Sequence, residues 1–201
     1  VITLALETST QRGSVALLEN GATVFSEHFA AGRGHGSVLF LSLERARKLF
    51  HHLDQVAVGL GPGSYSGTRI AIAAAIGVQL STNAKLAGIA SVAAMDTEEK
   101  SYLAIGDARR ETYYYAQVTN GLCIEGPRLL HKTELEEKIR DNAGMPVFSS
   151  AAVDFVASLQ INFPTAENIA RLAQLGTGIY PAENLEPIYL RDAHITQPKK
   201  V

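Results

Sequence analysis

The chain has 201 residues, 46% hydrophobic and 19% charged; this excludes a disordered chain and supplies enough apolar side chain for one large domain or two small ones. A formal net charge of −2 lacks the basic surplus that stand-alone nucleic-acid binding needs. The single cysteine, Cys123, excludes an internal disulfide and suits a reducing cytoplasm, no run is long enough to span a bilayer, and the opening VITLALETST lacks the basic lead of a signal peptide, so a cytoplasmic protein without a membrane partner is expected.

The chain begins with an apolar strand, residues 1–6, and the polar turn ETSTQRG. SVALLENG is a second strand that ends on Asn20-Gly21, a strong two-residue hairpin signal, and ATVFSEHF a third. AGRGHG breaks the pattern. Residues 37–50 place Leu39, Leu43, Ala46 and Phe50 at spacings of three and four, which predicts a helix. Residues 54–60 form a buried strand, and the loop Gly61-Pro62-Gly63-Ser64-Tyr65-Ser66-Gly67 leads into a helix from about 66 to 80, with Ser66 as its N-cap if the loop is a tight turn. KLAGIAS is a further strand. In the second half, Thr133 and Glu136 have capping-box spacing ahead of a short helix, MPVFSS is a strand and turn, TAENIARLAQLG is a helix capped by Thr165 and stopped at Gly176, and LEPIYLRDAHITQPKK is an extended, proline-punctuated tail.

ETSTQRGSVALLENG and DARRETYYYAQVTNG match in pattern at a constant offset of 100 residues, pairing Glu7 with Asp107, Ala16 with Ala116 and Asn20-Gly21 with Asn120-Gly121. Each follows an apolar strand, opens on a carboxylate and ends on Asn-Gly. A duplicated unit fits this pattern, and so do two unrelated hairpins with a common turn.

The glycine loop has two readings. A helix start offers free backbone N–H groups to an anion, and glycines permit close approach; equally, the loop is a tight turn that caps a helix, and no lysine follows to make it a P-loop. Asp107, Arg109 and Glu111 are either a second polar turn facing a phosphate or a solvated, self-neutralising cluster. His51 and His52 are adjacent and cannot share a metal from one helix, there is no cysteine pair, and no GxSxG elbow appears. The helix RIAIAAAIGVQL is apolar around nearly its full circumference. It is either a core helix or one shared between this chain and a partner.

LALETST…GSVAL, GLGPGSYSGTRIAIAAAIG, AIGDARRETYY and EPIYLRDA, in this order and spacing, resemble the bacterial TsaB (YeaZ) family over essentially the whole chain. The resemblance implies an α/β fold of two lobes, the actin-like ATPase (ASKHA, ribonuclease H-like) fold with duplicated mixed sheets flanked by helices, here divided as 1–98 and 99–201 with a trimmed second lobe. It implies a non-catalytic partner of the TsaD enzyme, working with TsaE in threonylcarbamoylation of adenosine 37 in tRNAs reading ANN codons, and pairing with a second copy of itself when TsaD is absent; tRNA contact comes only through the complex.

In actin-like ATPases the position of Glu7 holds an acidic residue that orders magnesium and water, and a glycine usually stands at Ser9; here the turn reads as an eroded phosphate site. By the same resemblance Glu7, Ser9, Gly61, Gly63, Ser64, Asp107 and Arg109 are a vestigial or interface nucleotide site. No intrinsic cofactor is implied, and ATP or ADP would bind at the TsaD boundary. Ser91 and Met95 stand where the catalytic sister carries its metal-binding histidines, so no metal is expected. Leu39 and Leu43 on the first helix, with Arg69, Ile70, Ala74 and Val78 on the second, are the expected docking residues. An active ATPase of the same fold, a glycoprotease-like metallopeptidase and a stand-alone dimeric scaffold are the rival readings.

Overall fold

A computed structural model describes residues 1–30 and 35–191. Most of the AGRGHG break and the end of the extended tail lie outside the described residues.

The first lobe starts with an antiparallel meander of β1 (Ile2–Glu7), β2 (Arg12–Glu19) and β3 (Ala22–Ala30). Asn20 and Gly21 take positive φ, 48° and 83°, the geometry of a two-residue turn that matches strand twist. Helix α1 (His35–Arg47) leads to β4 (Gln55–Gly59), and α2 (Tyr65–Thr82) leads to β5 (Lys85–Ile89). β4 and β5 join the sheet in parallel beside β1. α1 stops at Arg47, short of the expected end, and Phe50 reaches the core from the turn beyond it.

A short 3-10 turn, Ser91–Ala94, carries the chain into the second lobe. There β6 (Ser101–Asp107), β7 (Thr112–Thr119) and β8 (Leu122–His131) repeat the meander, with Asn120 and Gly121 at φ 50° and 75°. α3 (Lys132–Asp141), β9 (Val147–Ser149) and β10 (Leu159–Ile161) follow. The sheet order β10-β9-β6-β7-β8 reproduces β5-β4-β1-β2-β3 of the first lobe. The duplication is therefore structural, and it is incomplete: residues 150–158, the counterpart of α2, form turns instead of a helix.

α3 is capped by His131 and Glu134, not by Thr133 and Glu136, because the helix starts directly at the strand end. The last helix, α4 (Ala166–Leu175), is capped by Thr165 and closed by Gly176 in the left-handed region, as its sequence predicts.

The boundary at residue 98 needs correction. α4 packs on β1, β2, β4 and β5 of the first sheet, and β11 (Ile179–Tyr180) adds antiparallel to β5. The chain thus returns to its first lobe after building the second.

Period-two alternation in the strands explains how one sheet serves helices on both faces. Leu4, Leu6, Val15, Leu17, Val56 and Val58 point to α1 and α2. Ala5, Ala16, Ala57 and Ala87 point the other way, and small side chains let Ala166, Ile169 and Ala170 of α4 settle against them. Ser14 Oγ accepts from Ala166 N–H at 2.8 Å and secures the first turn of α4 to β2. Leu103, Ile105, Tyr115 and Leu130 pack against Leu135 of α3, while Tyr102, Ala104 and Phe148 meet Val92 and Met95 between the lobes.

Candidate functional site

β1 delivers Glu7 to the point where its chain turns away from the sheet. The carboxylate folds back and accepts from Ser9 N–H at 2.5 Å. It is fully buried, and burial raises its pKa, opposed by the Ser9 and Ser91 hydroxyls and by the Ser9 and Thr8 backbone. β4 makes room for it: a Cβ on Gly59 would lie 1.8 Å from Glu7 Oε2.

The turn after Glu7 is pressed against the glycine loop. Thr8 Oγ1 donates to Gly67 O at 2.8 Å, and Ser64 N–H donates to Ser9 O at 2.6 Å. A Cβ on Gly63 would sit 2.1 Å from Ser9 O, so the glycine is required by this close approach. Ser64, not Ser66, is the N-cap of α2: its hydroxyl accepts from Gly67 N–H at 3.1 Å. Gly61 lies deeper, at φ 86°, exchanging bonds with Ser91 through Gly61 N–H to Ser91 Oγ at 2.9 Å and Ser91 N–H to Gly61 O at 2.8 Å.

The second lobe repeats the ring: Asp107 Oδ1 accepts from Arg109 N–H at 2.7 Å. Arg109, Arg110 and Glu111 all take positive φ, between 54° and 67°. The Arg109–Asp107 ion pair is exposed and 3.9 Å long, so it adds little to stability.

A cleft of about 740 Å³ separates the two turns. Ser9, Gly63, Ser64, Asp107 and Arg109 line it; Glu7 and Gly61 lie beneath and are not part of its wall. The residues present do not fit a magnesium–nucleotide centre of the ATPase kind. Glu7, the acidic group that would order the ion, is sealed under the loop and engaged with Ser9, and Ser64 already occupies one N–H of the α2 terminus.

Two cleft features escaped the sequence. Tyr114 covers Gly106, where a Cβ would be 2.4 Å from its ring; its hydroxyl meets those of Ser149 and Ser150, and burial pushes its pKa up to about 12. The run of three tyrosines carries no period to show which one faces inward. Residues 187–191 also line the cleft, and nothing in their extended pattern says where they lie.

The expected docking residues divide. Leu39 and Leu43 are core residues under α1, and Ala74 is 6% exposed under α2; none of the three offers a surface, because the i, i+4 stripe that made them conspicuous is the one facing the sheet. Ile70 and Val78 are half-buried at the edge of that core, and Arg69 is exposed. The outward faces carry other apolar residues: Val38, Phe40 (56% exposed) and Leu41 on α1, Ile76 and Leu80 (77%) on α2. α1 and α2 pack side by side, so these residues belong to one two-helix face.

Among the described residues, no three His, Cys, Asp or Glu side chains gather at metal-binding spacing. Ser91 is held by Gly61 and Met95 is buried between the lobes. Ser26, His28 and Glu167 do cluster, but His28 Nε2 faces both Ser26 Oγ, at 3.3 Å, and Glu167 Oε1, at 3.0 Å, while Ser26 itself donates to Glu167. A hydrolytic relay needs the acid and the nucleophile on opposite ring nitrogens. This cluster is a tie between β3 and α4.

Residues 36–186 match the family profile described as TsaD: tRNA N6-adenosine threonylcarbamoyltransferase. The chain is 24% identical to the tRNA threonylcarbamoyladenosine biosynthesis protein TsaB of Haemophilus influenzae, over 94% of this chain and 93% of that one. It is 34% identical to the tRNA N6-adenosine threonylcarbamoyltransferase of Dictyoglomus turgidum over 44% of this chain and 33% of that one. A Pseudomonas aeruginosa structure described as an uncharacterized protein with similarity to peptidase YEAZ superposes with TM-score 0.77, at 24% identity, covering 94% of this chain and 99% of that one. The fold is the two-lobed actin-like α/β fold.

Proposed function

Because the chain belongs to the TsaD family, on its TsaB (YeaZ) branch, and has a role in tRNA threonylcarbamoyladenosine biosynthesis, we propose that it is a non-catalytic subunit that docks on TsaD through the outward face of α1 and α2. The observation that carries this reading is the joint apolar face of these helices, with Val38, Leu41, Ile76 and Leu80 exposed. An apolar patch on adjacent helices marks an interaction surface, and its affinity is set by a few central anchors. The buried state of Glu7 supports the non-catalytic part, since the acid that drives phosphate chemistry in this fold is out of reach of the cleft.

In this reading TsaD performs the transfer to adenosine 37 of tRNAs reading ANN codons in the cytoplasm, TsaE joins the same assembly, and tRNA meets this chain only in the complex. The same face pairs two copies when TsaD is absent. The cleft is vestigial toward nucleotide unless TsaD completes it with ATP or ADP.

The test is Ile76→Asp in the full chain. It should weaken co-elution with TsaD at least ~30-fold, equivalent to ~2 kcal/mol, and suppress modified-base formation when TsaD, TsaE, ATP, threonylcarbamoyl-AMP and tRNA are supplied. Undiminished co-elution by a folded variant overturns the docking assignment.

A further inference from the structure

We infer that residues 187–191 are a strap that closes the interlobe cleft and is released when TsaD occupies α2; the second half of this statement rests on the docking reading above.

The segment ties both lobes together across the cleft. On the first-lobe side, Ile188 N–H donates to Leu60 O at 2.8 Å. The Tyr189 ring stacks on Tyr65, the first residue of α2, with centroids 5.4 Å apart and planes tilted by 32°. On the second-lobe side, the Arg191 guanidinium donates to Arg109 O at 2.8 Å and to Thr112 Oγ1. Pro187, Ile188, Tyr189, Leu190 and Arg191 all form cleft wall, so the segment bounds the cleft on this side.

Tyr65 connects the strap to the docking face. Its ring is also met by Arg69, whose guanidinium lies 5.1 Å from the ring centroid and donates to the Tyr65 hydroxyl. Tyr65 and Arg69 are exposed and share the outward stripe of α2 with Ala73, Ile76 and Leu80. A partner that covers this stripe competes for the Tyr65 ring that holds Tyr189 and for the Arg69 guanidinium that lies on that ring. A single aromatic pair is a modest hold, weak enough for a docking partner to break. The backbone bond from Ile188 to Leu60 is then the reporter: it persists while the strap is down and opens when it lifts.

Amide hydrogen exchange on the full chain reads this directly. Tyr65→Ala without partner should speed exchange of the Ile188 amide by at least ~10-fold while the β1 amides keep their rates; Tyr65→Phe, which keeps the ring, should keep the protection. Arg191→Ala should accelerate the same amide from the other anchor. Adding TsaD to the unaltered chain should give an acceleration like that of Tyr65→Ala. Unchanged Ile188 exchange in Tyr65→Ala overturns the strap. Co-elution with TsaD without faster Ile188 exchange overturns the coupling and leaves docking standing. Absence of co-elution overturns docking and release together, while the Tyr65→Ala result still decides whether the strap is held from α2.

Discussion

Glu7 and Asp107 close the same backbone ring a hundred residues apart: each ends the first strand of its lobe and accepts the amide hydrogen two residues on, from Ser9 and Arg109 respectively. Their surroundings then diverge. Glu7 lies under two loops with no exposed atom, whereas Asp107 stands in the cleft wall.

The burial of Glu7 has a consequence for pH. Its pKa is raised in the folded chain, so between the ordinary carboxylate value and the folded one the native state holds a proton that the unfolded state has released, and stability falls as pH rises through that interval. Glu7→Gln keeps an acceptor for Ser9 and removes the proton requirement. It should raise Tm at pH values above the ordinary carboxylate range and flatten the decline of Tm with rising pH, with roughly 2–4 °C for each kcal/mol recovered in a chain of this size. Differential scanning calorimetry as a function of pH checks it; a Tm that declines with pH as steeply as in the parent contradicts it.

Glu125 titrates in the opposite sense. Lys138 bonds its carboxylate at 2.9 Å, Arg128 adds a second contact at 2.8 Å, and the pKa is lowered with the Lys138 bond as the largest cause. The stability it contributes is present above the ordinary carboxylate value and is lost as pH falls through the lowered one. Lys138→Ala should move the Glu125 midpoint upward, toward that ordinary value, in an NMR titration.

The two faces of α1 can be told apart by a pair of substitutions. Leu39 has no exposure and belongs to the core under the helix, so Leu39→Ala should cost ~2–5 kcal/mol in urea unfolding. Phe40, its neighbour, points outward, and Phe40→Ala should stay within ~0.5 kcal/mol of the parent while weakening the complex with TsaD. Equal destabilisation by both would place Phe40 in the core.

A fragment of residues 1–98 should fail to fold cooperatively. It contains every strand of the first meander but lacks α4, leaving the alanine face of the sheet bare. Near-UV circular dichroism should show no fixed tertiary signal, and adding residues 99–201 in trans should restore it. A cooperative thermal transition of the isolated fragment contradicts the return of α4 to the first lobe.

The meanders, their Asn-Gly turns and the caps of α4 were legible because each has a local cause: alternation, positive φ, a threonine hydroxyl at a helix start. The outward face of α2 was not. Its Ala, Ile, Gly and Val residues have too little contrast in polarity for periodicity to tell the sheet side from the solvent side, and so Ala74 was expected outside although Ile76 is. α1 misled for another reason: the regular Leu39–Leu43–Ala46 stripe was real, but a stripe reports burial and not the identity of what buries it. Glu7 is conspicuous in the sequence by its place at the strand end, while its inward turn depends on Gly59 and Ser91, which only the folded sheet brings near. The lobe that receives α4 was beyond local reading altogether, because an alanine-rich sheet face and an alanine-rich helix stripe carry no address until the chain has closed on itself.

That closure has a bearing on how a ribosome delivers the molecule. The lobe made first is completed last, since its sheet waits for the stretch ending at Leu175. At about 5–20 residues per second, translation separates residue 98 from that stretch by several seconds. Throughout that interval the nascent chain exposes a sheet surface lined by Ala5, Ala16, Leu18 and Ile89. Its alanines keep most of that surface a modest lure for chaperones and for neighbouring nascent chains, with Leu18 and Ile89 as the larger apolar points on it.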